Sequence, residues 1–253
     1  MGKLYAHTVK ISTLQAFEVD CMYHLFATYY ENTQKEKFLK DLLNKDKVIL
    51  LRDKYEKKIR GFSTIKFMDI NIQGKKVYGL FSGDTVIDAD YWGQTALTME
   101  FFKVQMFFKF KHPFNGFYWF LISKGFKTYL LLTNNYQNYF PRFDKETPRK
   151  HKMIIDGLAH QIFGETYDSN SGLLKCANLY ERLKGEVAPI DDHALKNPNI
   201  KYFQDKNPNW IEGEELCCIG RVDYGLVTKY LSRTYKKRLK PVFKLSWFKS
   251  SSY

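Results

Sequence analysis

Gly83 to Leu97 reads GDTVIDADYWGQTAL, and this stretch decides the fold. An apolar strand end (Val86, Ile87), an acidic hinge (Asp88, Asp90) and a turn containing Gly93 run straight into an amphipathic segment. That order sets the first amides of a helix just beyond the end of a strand. Those amides have no internal acceptor, and the helix dipole adds about half a positive charge beside them. A pyrophosphate suits such a place, and Gly93 lets it approach the backbone closely.

Upstream, Gln73 to Lys76 predicts a hairpin turn, so Ile59–Ile72 and Val77–Ile87 are expected to lie antiparallel. Before them come a strand over His7–Ser12 and a helix over Ser12–Tyr29, with Ser12 or Thr13 as its cap. Leu14, Phe17, Cys21, Leu25, Phe26 and Tyr29 mark that helix's apolar face. A second helix over Lys35–Asn44 turns Phe38, Leu42 and Leu43 inward, and Val48–Leu51 is a buried strand. Downstream, a helix from about Tyr91 to Lys111 is expected to bury Ala96, Met99, Phe102, Val104, Met106, Phe107 and Phe110 before His112-Pro113 stops it. Phe117–Ile122 follows as a strand. Lys124–Tyr139 is read as a helix capped by Ser123, although Thr128–Thr133 has strand propensity. One further helix is expected over Lys150–Phe163.

The pattern V-x-D-x-D-Y-x-G-Q on Val86, Asp88, Asp90, Tyr91, Gly93 and Gln94 resembles the acyl-CoA loop of the GNAT acyltransferase superfamily. Trp92 stands where that family usually has Arg, and Thr95 where it has its middle Gly. Strand, two helices, three antiparallel strands, helix, strand is also the family's order of elements. The resemblance implies an α/β (α+β) fold, a mixed, mostly antiparallel sheet flanked by helices. Residues 1–146 would form the acyltransferase domain and 147–253 a C-terminal extension, with a basic tail from about 221. It implies an acyl-CoA or acyl-phosphopantetheine donor, used as a substrate. The strand residues Thr85, Val86 and Ile87 would pair with the pantetheine arm, and Trp92, Gly93, Gln94, Thr95 and Ala96 would hold the pyrophosphate.

Transfer from a thioester to an amine needs a polarised carbonyl, a path for the amine proton and a proton for the leaving thiolate. By the resemblance, a backbone N–H near Asp84–Val86 polarises the carbonyl. A tyrosine protonates the thiolate, Tyr136 being the first choice and Tyr139 the second. Asp84 is the nearest carboxylate for a general base. Each has a plainer alternative: aromatic core for the tyrosines, a hairpin or bulge residue for Asp84. Asn135 either contacts the arm or caps a helix end, and Asp88 and Asp90 shape the turn.

The 253 residues can bury a full core, and 44% hydrophobic with 26% charged residues excludes wholesale disorder. The formal charge of +13 is concentrated between Arg221 and Lys249, where nine Lys and Arg face the single acid Asp223. An acidic carrier protein, an anionic membrane surface or nucleic acid would suit that tail, nucleic acid least. No apolar run is long enough to span a bilayer, because Lys103, Lys109 and Lys124 interrupt the candidates. No signal-peptide pattern opens the chain, and Ala6 stands where a myristoylation motif wants Ser or Thr, so the expected location is cytoplasmic or peripheral at a membrane. Cys21, Cys176, Cys217 and Cys218 lack metal spacing and read as reduced thiols, so no metal is expected. No P-loop and no nucleophile elbow occurs. Two functions follow: an N-acyltransferase, or a non-catalytic relative whose basic C-terminus docks on a membrane or nucleic acid.

Overall fold

A computed structural model of the chain describes residues 2–175, 182–183 and 190–229. The elements run β1 (Leu4–Lys10), α1 (Ala16–Tyr29), β2 (Tyr30–Glu31), α2 (Lys35–Leu43), β3 (Lys47–Asp53), β4 (Ile59–Ile72) and β5 (Lys75–Ile87). Then come α3 (Ala96–Lys111), β6 (Gly116–Ser123), α4 (Phe126–Asn135), β7 (Tyr139–Phe140), α5 (Arg149–Phe163), β8 (Tyr167–Asp168) and β9 (Leu173–Leu174). The described chain ends with β10 (Arg182–Leu183), α6 (Pro198–Lys206), β11 (Glu215–Arg221) and a helical turn over 224–229.

The main sheet has the order β1-β3-β4-β5-β6-β11-β9-β8, with β7 also on β11. Every pairing in it is antiparallel except β5 with β6. This is the mixed, largely antiparallel sheet that the resemblance implies. Successive residues of a strand point to opposite faces, so Leu80 and Trp119 pack with α3, α4 and α6 while Phe81 and Phe120 pack with α5. Helices α1 and α2 cover Val48, Leu50 and Phe62 on the same side as α5. Phe62, Phe117 and Phe120 are fully buried, each contributing about 1.5–3 kcal/mol by leaving water. The β4–β5 hairpin closes through Gln73 (φ 53°) and Gly74 (φ 75°), the paired left-handed residues that a two-residue turn requires.

Several local expectations are corrected. Helix α1 starts at Ala16, capped by a reciprocal Gln15–Glu18 box, because Ile11–Thr13 forms a separate 3-10 turn whose Thr13 hydroxyl donates to Lys10 O. Its buried face is Met22 and Phe26, leaving Phe17 and Cys21 exposed. On α2, Leu43 faces water. Helix α3 starts at Ala96, after a 3-10 turn at Ala89–Tyr91, and it buries Gln105, Met106 and Lys109 while Met99, Phe107 and Phe110 are exposed. The cap of α4 is Gly125 and not Ser123, which still belongs to β6.

The sheet does not stop at residue 146. Strand β11 pairs with β6 from Arg221↔Tyr118 to Leu216↔Ser123, so the C-terminal part supplies an interior strand of the same sheet. Glu215–Gly220 is buried throughout, which the six-residue run ELCCIG earns by lying under helices on both faces. Of the basic tail, residues 230–253 lie outside the described residues, as does Cys176. No helix among the described residues is long and apolar enough to cross a membrane.

Candidate active site

Strands β5 and β6 run parallel from Val77↔Gly116 to Phe81↔Phe120 and then part. Beyond that point β5 continues on β4 to Ile87, and β6 continues on β11 to Ser123. The register of β4 against β5 shifts between Ser63 and Ile65, which places Gly83 and Asp84 together opposite Thr64. Such a bulge breaks the ladder and bends the strand away from its neighbour. Gly83 is required there: a Cβ would meet Thr64 Oγ1 at 2.5 Å and Lys45 Cε at 2.8 Å.

A cleft of 990 Å³ passes between the parted strands. That volume is at the upper end for a small-molecule site. Ser82, Gly83, Asp84 and Thr85 form its β5 edge, and Ile122 and Lys124 its β6 edge. On one face α3 contributes Leu97, Thr98, Phe101 and Gln105, and the end of α4 contributes Asn135 with Tyr136 just after it. On the other lie Phe38 of α2, Lys45 in the turn after it, Phe163 of α5, and Leu174 and Lys175.

At the base, the Trp119 indole N–H donates to the Ser82 hydroxyl at 2.9 Å, and its ring stands 5.1 Å from that of Tyr136 and 5.3 Å from that of Phe101. The Tyr136 hydroxyl donates to Gln105 Oε1 at 2.8 Å. Burial raises the Tyr136 pKa, a shift that the Gln105 hydrogen bond offsets only in part. The group is a neutral proton donor at any physiological pH. At the β6 edge, burial works against the Lys124 charge, but the Glu215 carboxylate at 3.3 Å, together with Tyr30 and Asp84, more than offsets it and holds the ammonium protonated. Lys45 is bound to Asp41 at 2.5 Å.

The residues singled out from the sequence divide into three groups. Asp84, Thr85, Asn135 and Tyr136 line the cleft. The Thr85 hydroxyl is joined to Ser63 Oγ at 2.7 Å, and Asn135 Nδ2 donates to Leu131 O at 2.7 Å, so this side chain caps the last turn of α4 as well as lining the wall. Val86 points the other way, into the α1–α2 core, while Ile87 packs beside Leu51 and Tyr91. Tyr139 is buried in the α4–α6 core with its hydroxyl on Asn199 Oδ1 at 3.2 Å, away from the cleft lining.

The loop side chains are occupied with the fold. Trp92 Nε1 donates to Ile87 O at 2.8 Å; Gln94 accepts from Leu4 N at 2.8 Å and donates to Gly2 O at 2.9 Å, tying down the N-terminal strand. Asp88 accepts from Asp90 N and pairs with Arg60 at 3.2 Å, shaping the turn as expected. What the loop offers a ligand is therefore backbone. Gly93 sits at φ 82° with open space where a Cβ would be, Thr95 caps α3 without a side-chain bond, and of the helix start Leu97 and Thr98 line the cleft, whereas Trp92, Gly93, Gln94, Thr95 and Ala96 are not among its lining residues.

Gln105, Trp119, Ser82 and the Lys124–Glu215 pair were not anticipated. One signal for Gln105 was present: it is the lone uncharged polar residue in the run FFKVQMFF. The Cys217 and Cys218 thiols are buried, which pushes both pKa values up and keeps them from acting as nucleophiles. Among the described residues no group of His, Cys, Asp and Glu could hold a metal ion.

No family model and no curated protein matches the chain. Among solved structures it is similar to a conserved protein of unknown function from Enterococcus faecalis, at 12% identity and a TM-score of 0.39, over 51% of this chain and 31% of that one. It is similar to a GNAT family N-acetyltransferase from Escherichia coli in complex with CoA, at 11% identity and a TM-score of 0.34, over 49% of this chain and 66% of that one. A Trypanosoma brucei acetyltransferase is similar at 13% identity and a TM-score of 0.38, over 58% of this chain and 98% of its own. The matched part thus spans less than two thirds of the first two proteins.

Proposed function

We propose that the chain is a divergent acyltransferase of the GNAT type, which moves an acyl group from a phosphopantetheine thioester to an amine. The observation that carries this is the end of β5–β6 pairing at Phe81↔Phe120, which opens a cleft beside Tyr136. A parted pair of parallel strands leaves unpaired backbone groups facing each other, and an arm rich in amides can bond to them. The helix-start amides at the mouth complement its phosphates. CoA and an acyl carrier protein present the same arm, so the donor is either.

The amine nitrogen attacks the thioester carbon, the C–N bond forms and the C–S bond breaks. A backbone N–H of the bulge near Asp84 stabilises the carbonyl oxygen as it gains charge. Asp84 takes the proton that the amine loses, and Tyr136 gives one to the departing thiolate, to be restored from solvent. The products are an amide and a free thiol, with protons balanced. A thermal-shift titration with acetyl-CoA, a long-chain acyl-CoA and an acylated carrier protein tests this, since a ligand of the folded state raises the melting temperature. No response to any of the three leaves the non-catalytic alternative.

A second reading, docking on an anionic membrane surface, is favoured by the outer face of α3. Phe107, Phe110 and the adjoining Phe114 are 61%, 64% and 99% exposed beside Lys103 and Lys111, and no Asp or Glu occurs between Glu100 and Asp144. Aromatic rings among lysines suit the boundary between headgroups and acyl chains. Co-sedimentation with phosphatidylserine vesicles, absent with phosphatidylcholine and weakened by Phe107→Ser with Phe114→Ser, is the expected outcome. Binding unchanged in that variant would assign the attachment to the basic tail.

A further inference from the structure

We infer that Gln105 is a ligand-binding residue of the cleft: its carboxamide N–H groups take a neutral carbonyl oxygen of the thioester donor while its Oε1 orients the Tyr136 hydroxyl. This rests on the acyl-transfer reading above. Gln105 lies in the middle of α3, is 1% exposed, and lines the cleft together with Phe101, Phe102, Trp119 and Tyr136. Its Oε1 accepts the Tyr136 proton at 2.8 Å. Its Nε2 is buried and has no hydrogen-bond partner among the described residues.

Neither helix formation nor packing accounts for an amide here. Leucine has a comparable helix propensity and would fill the same apolar face without burying two N–H groups. Tyr136 satisfies only the oxygen. A buried donor left without an acceptor opposes folding, and native proteins rarely keep one unless a ligand or water completes it. Nε2 has two hydrogens and no lone pair to offer, so it binds an acceptor oxygen and not a cation. Tyr136, which bonds Gln105, and the Trp119 and Phe101 rings packed beside it are uncharged, so among the described residues these neighbours offer a phosphate or carboxylate no counter-charge. A neutral carbonyl is what remains, and an acyl-phosphopantetheine arm carries two kinds, its amides and its thioester.

The same side chain ties binding to catalysis. With its oxygen holding the Tyr136 hydroxyl and its nitrogen holding the donor, the carboxamide fixes the distance between the proton and the arm. Gln105 is thus a positioning residue for Tyr136.

The test uses the full chain and calorimetric titration with CoA and with acetyl-CoA. Gln105→Leu and Gln105→Met remove the unsatisfied Nε2 but leave the buried Tyr136 hydroxyl without its acceptor, so they are expected to melt close to the wild-type temperature, yet to bind acetyl-CoA about tenfold more weakly. Weakening toward both ligands assigns the oxygen to an arm amide, and weakening confined to acetyl-CoA assigns it to the thioester. Gln105→Glu keeps an oxygen for Tyr136, so its kcat should exceed that of Gln105→Leu while its donor binding stays weak. Wild-type affinity in both the Leu and Met variants, with wild-type kcat, would overturn the inference and leave the acyl-transfer reading standing. A wild-type chain that binds neither ligand would overturn both.

Discussion

Trp119 Nε1 donates to Ser82 Oγ at 2.9 Å across the point where β5 and β6 part. Phe81↔Phe120 is the last backbone pair between these strands, and this side-chain bond is the next link between them. A parted strand pair needs such a link, because nothing in the ladder itself sets how far the two strands stand apart. Ser82→Ala leaves the mostly buried indole N–H without its acceptor, and about 1 kcal/mol of stability should be lost in urea unfolding. Donor affinity should fall with it, as the base of the cleft loosens. An unchanged midpoint and an unchanged affinity would show that the bond sets nothing.

Tyr136→Phe keeps the ring against Trp119 and removes the proton. A drop of roughly 10²–10⁴-fold in kcat, with donor affinity close to wild type, is expected of a group that acts as general acid. Burial raises its pKa above the ordinary 10.0. A phenol shifted in this direction favours the folded state fully below about pH 10 and loses that contribution as pH rises further. Rates should therefore show no fall from tyrosine ionisation between pH 8 and about 10, whereas alkaline unfolding should set in above that range. A fall in the wild-type rate that disappears in the Phe variant below pH 9 would contradict the assignment.

Gly220 of β11 presses on the same tyrosine. A Cβ there would lie 2.7 Å from Leu132 Cδ1 and 2.8 Å from both Tyr136 Cδ1 and Cγ. Gly220→Ala must push α4 or turn the Tyr136 ring, at a cost of about 1–3 kcal/mol. Activity should fall further than stability alone explains, because the ring that moves is the proposed acid. Wild-type activity in Gly220→Ala would uncouple the C-terminal strand from the site.

The topology up to β6 was visible in the sequence because its signals are local: an alternating hairpin, a Gly-bearing turn, and helices with one apolar stripe. Ile59–Ile72 and the start of α2 fall where the residue pattern puts them. The face of α3 was misread for a physical reason. Phenylalanine occurs all round that helix, so periodicity could not separate the buried Met106 side from the exposed Phe107 and Phe110 side. β11 was hidden because a strand buried on both faces has no alternation, and its partner β6 is nearly a hundred residues away in sequence. Of the site, Tyr136 was reachable by counting along a helix, but its bond to Gln105 joins α3 to the end of α4 and has no trace in either segment alone.

Asp168 closes the turn that carries Leu174 and Lys175 onto the cleft wall. Its carboxylate bonds Lys175 Nζ at 3.0 Å, Asn170 N at 3.0 Å and Ser171 Oγ at 2.9 Å, and these bonds, led by that of Lys175, depress its pKa from 3.8 to about 2. A depressed carboxylate pKa favours the folded state at every pH above the unfolded value, and the contribution disappears as pH falls through the folded one. Asp168→Asn should therefore melt below the wild type by a constant margin from pH 7 down to about 4. Between there and pH 2 the margin should close, because the wild-type carboxyl also becomes neutral. Melting curves of both chains across this range check it, and a margin that persists undiminished at pH 2 would show that the turn is held by its shape and not by the charge on Asp168.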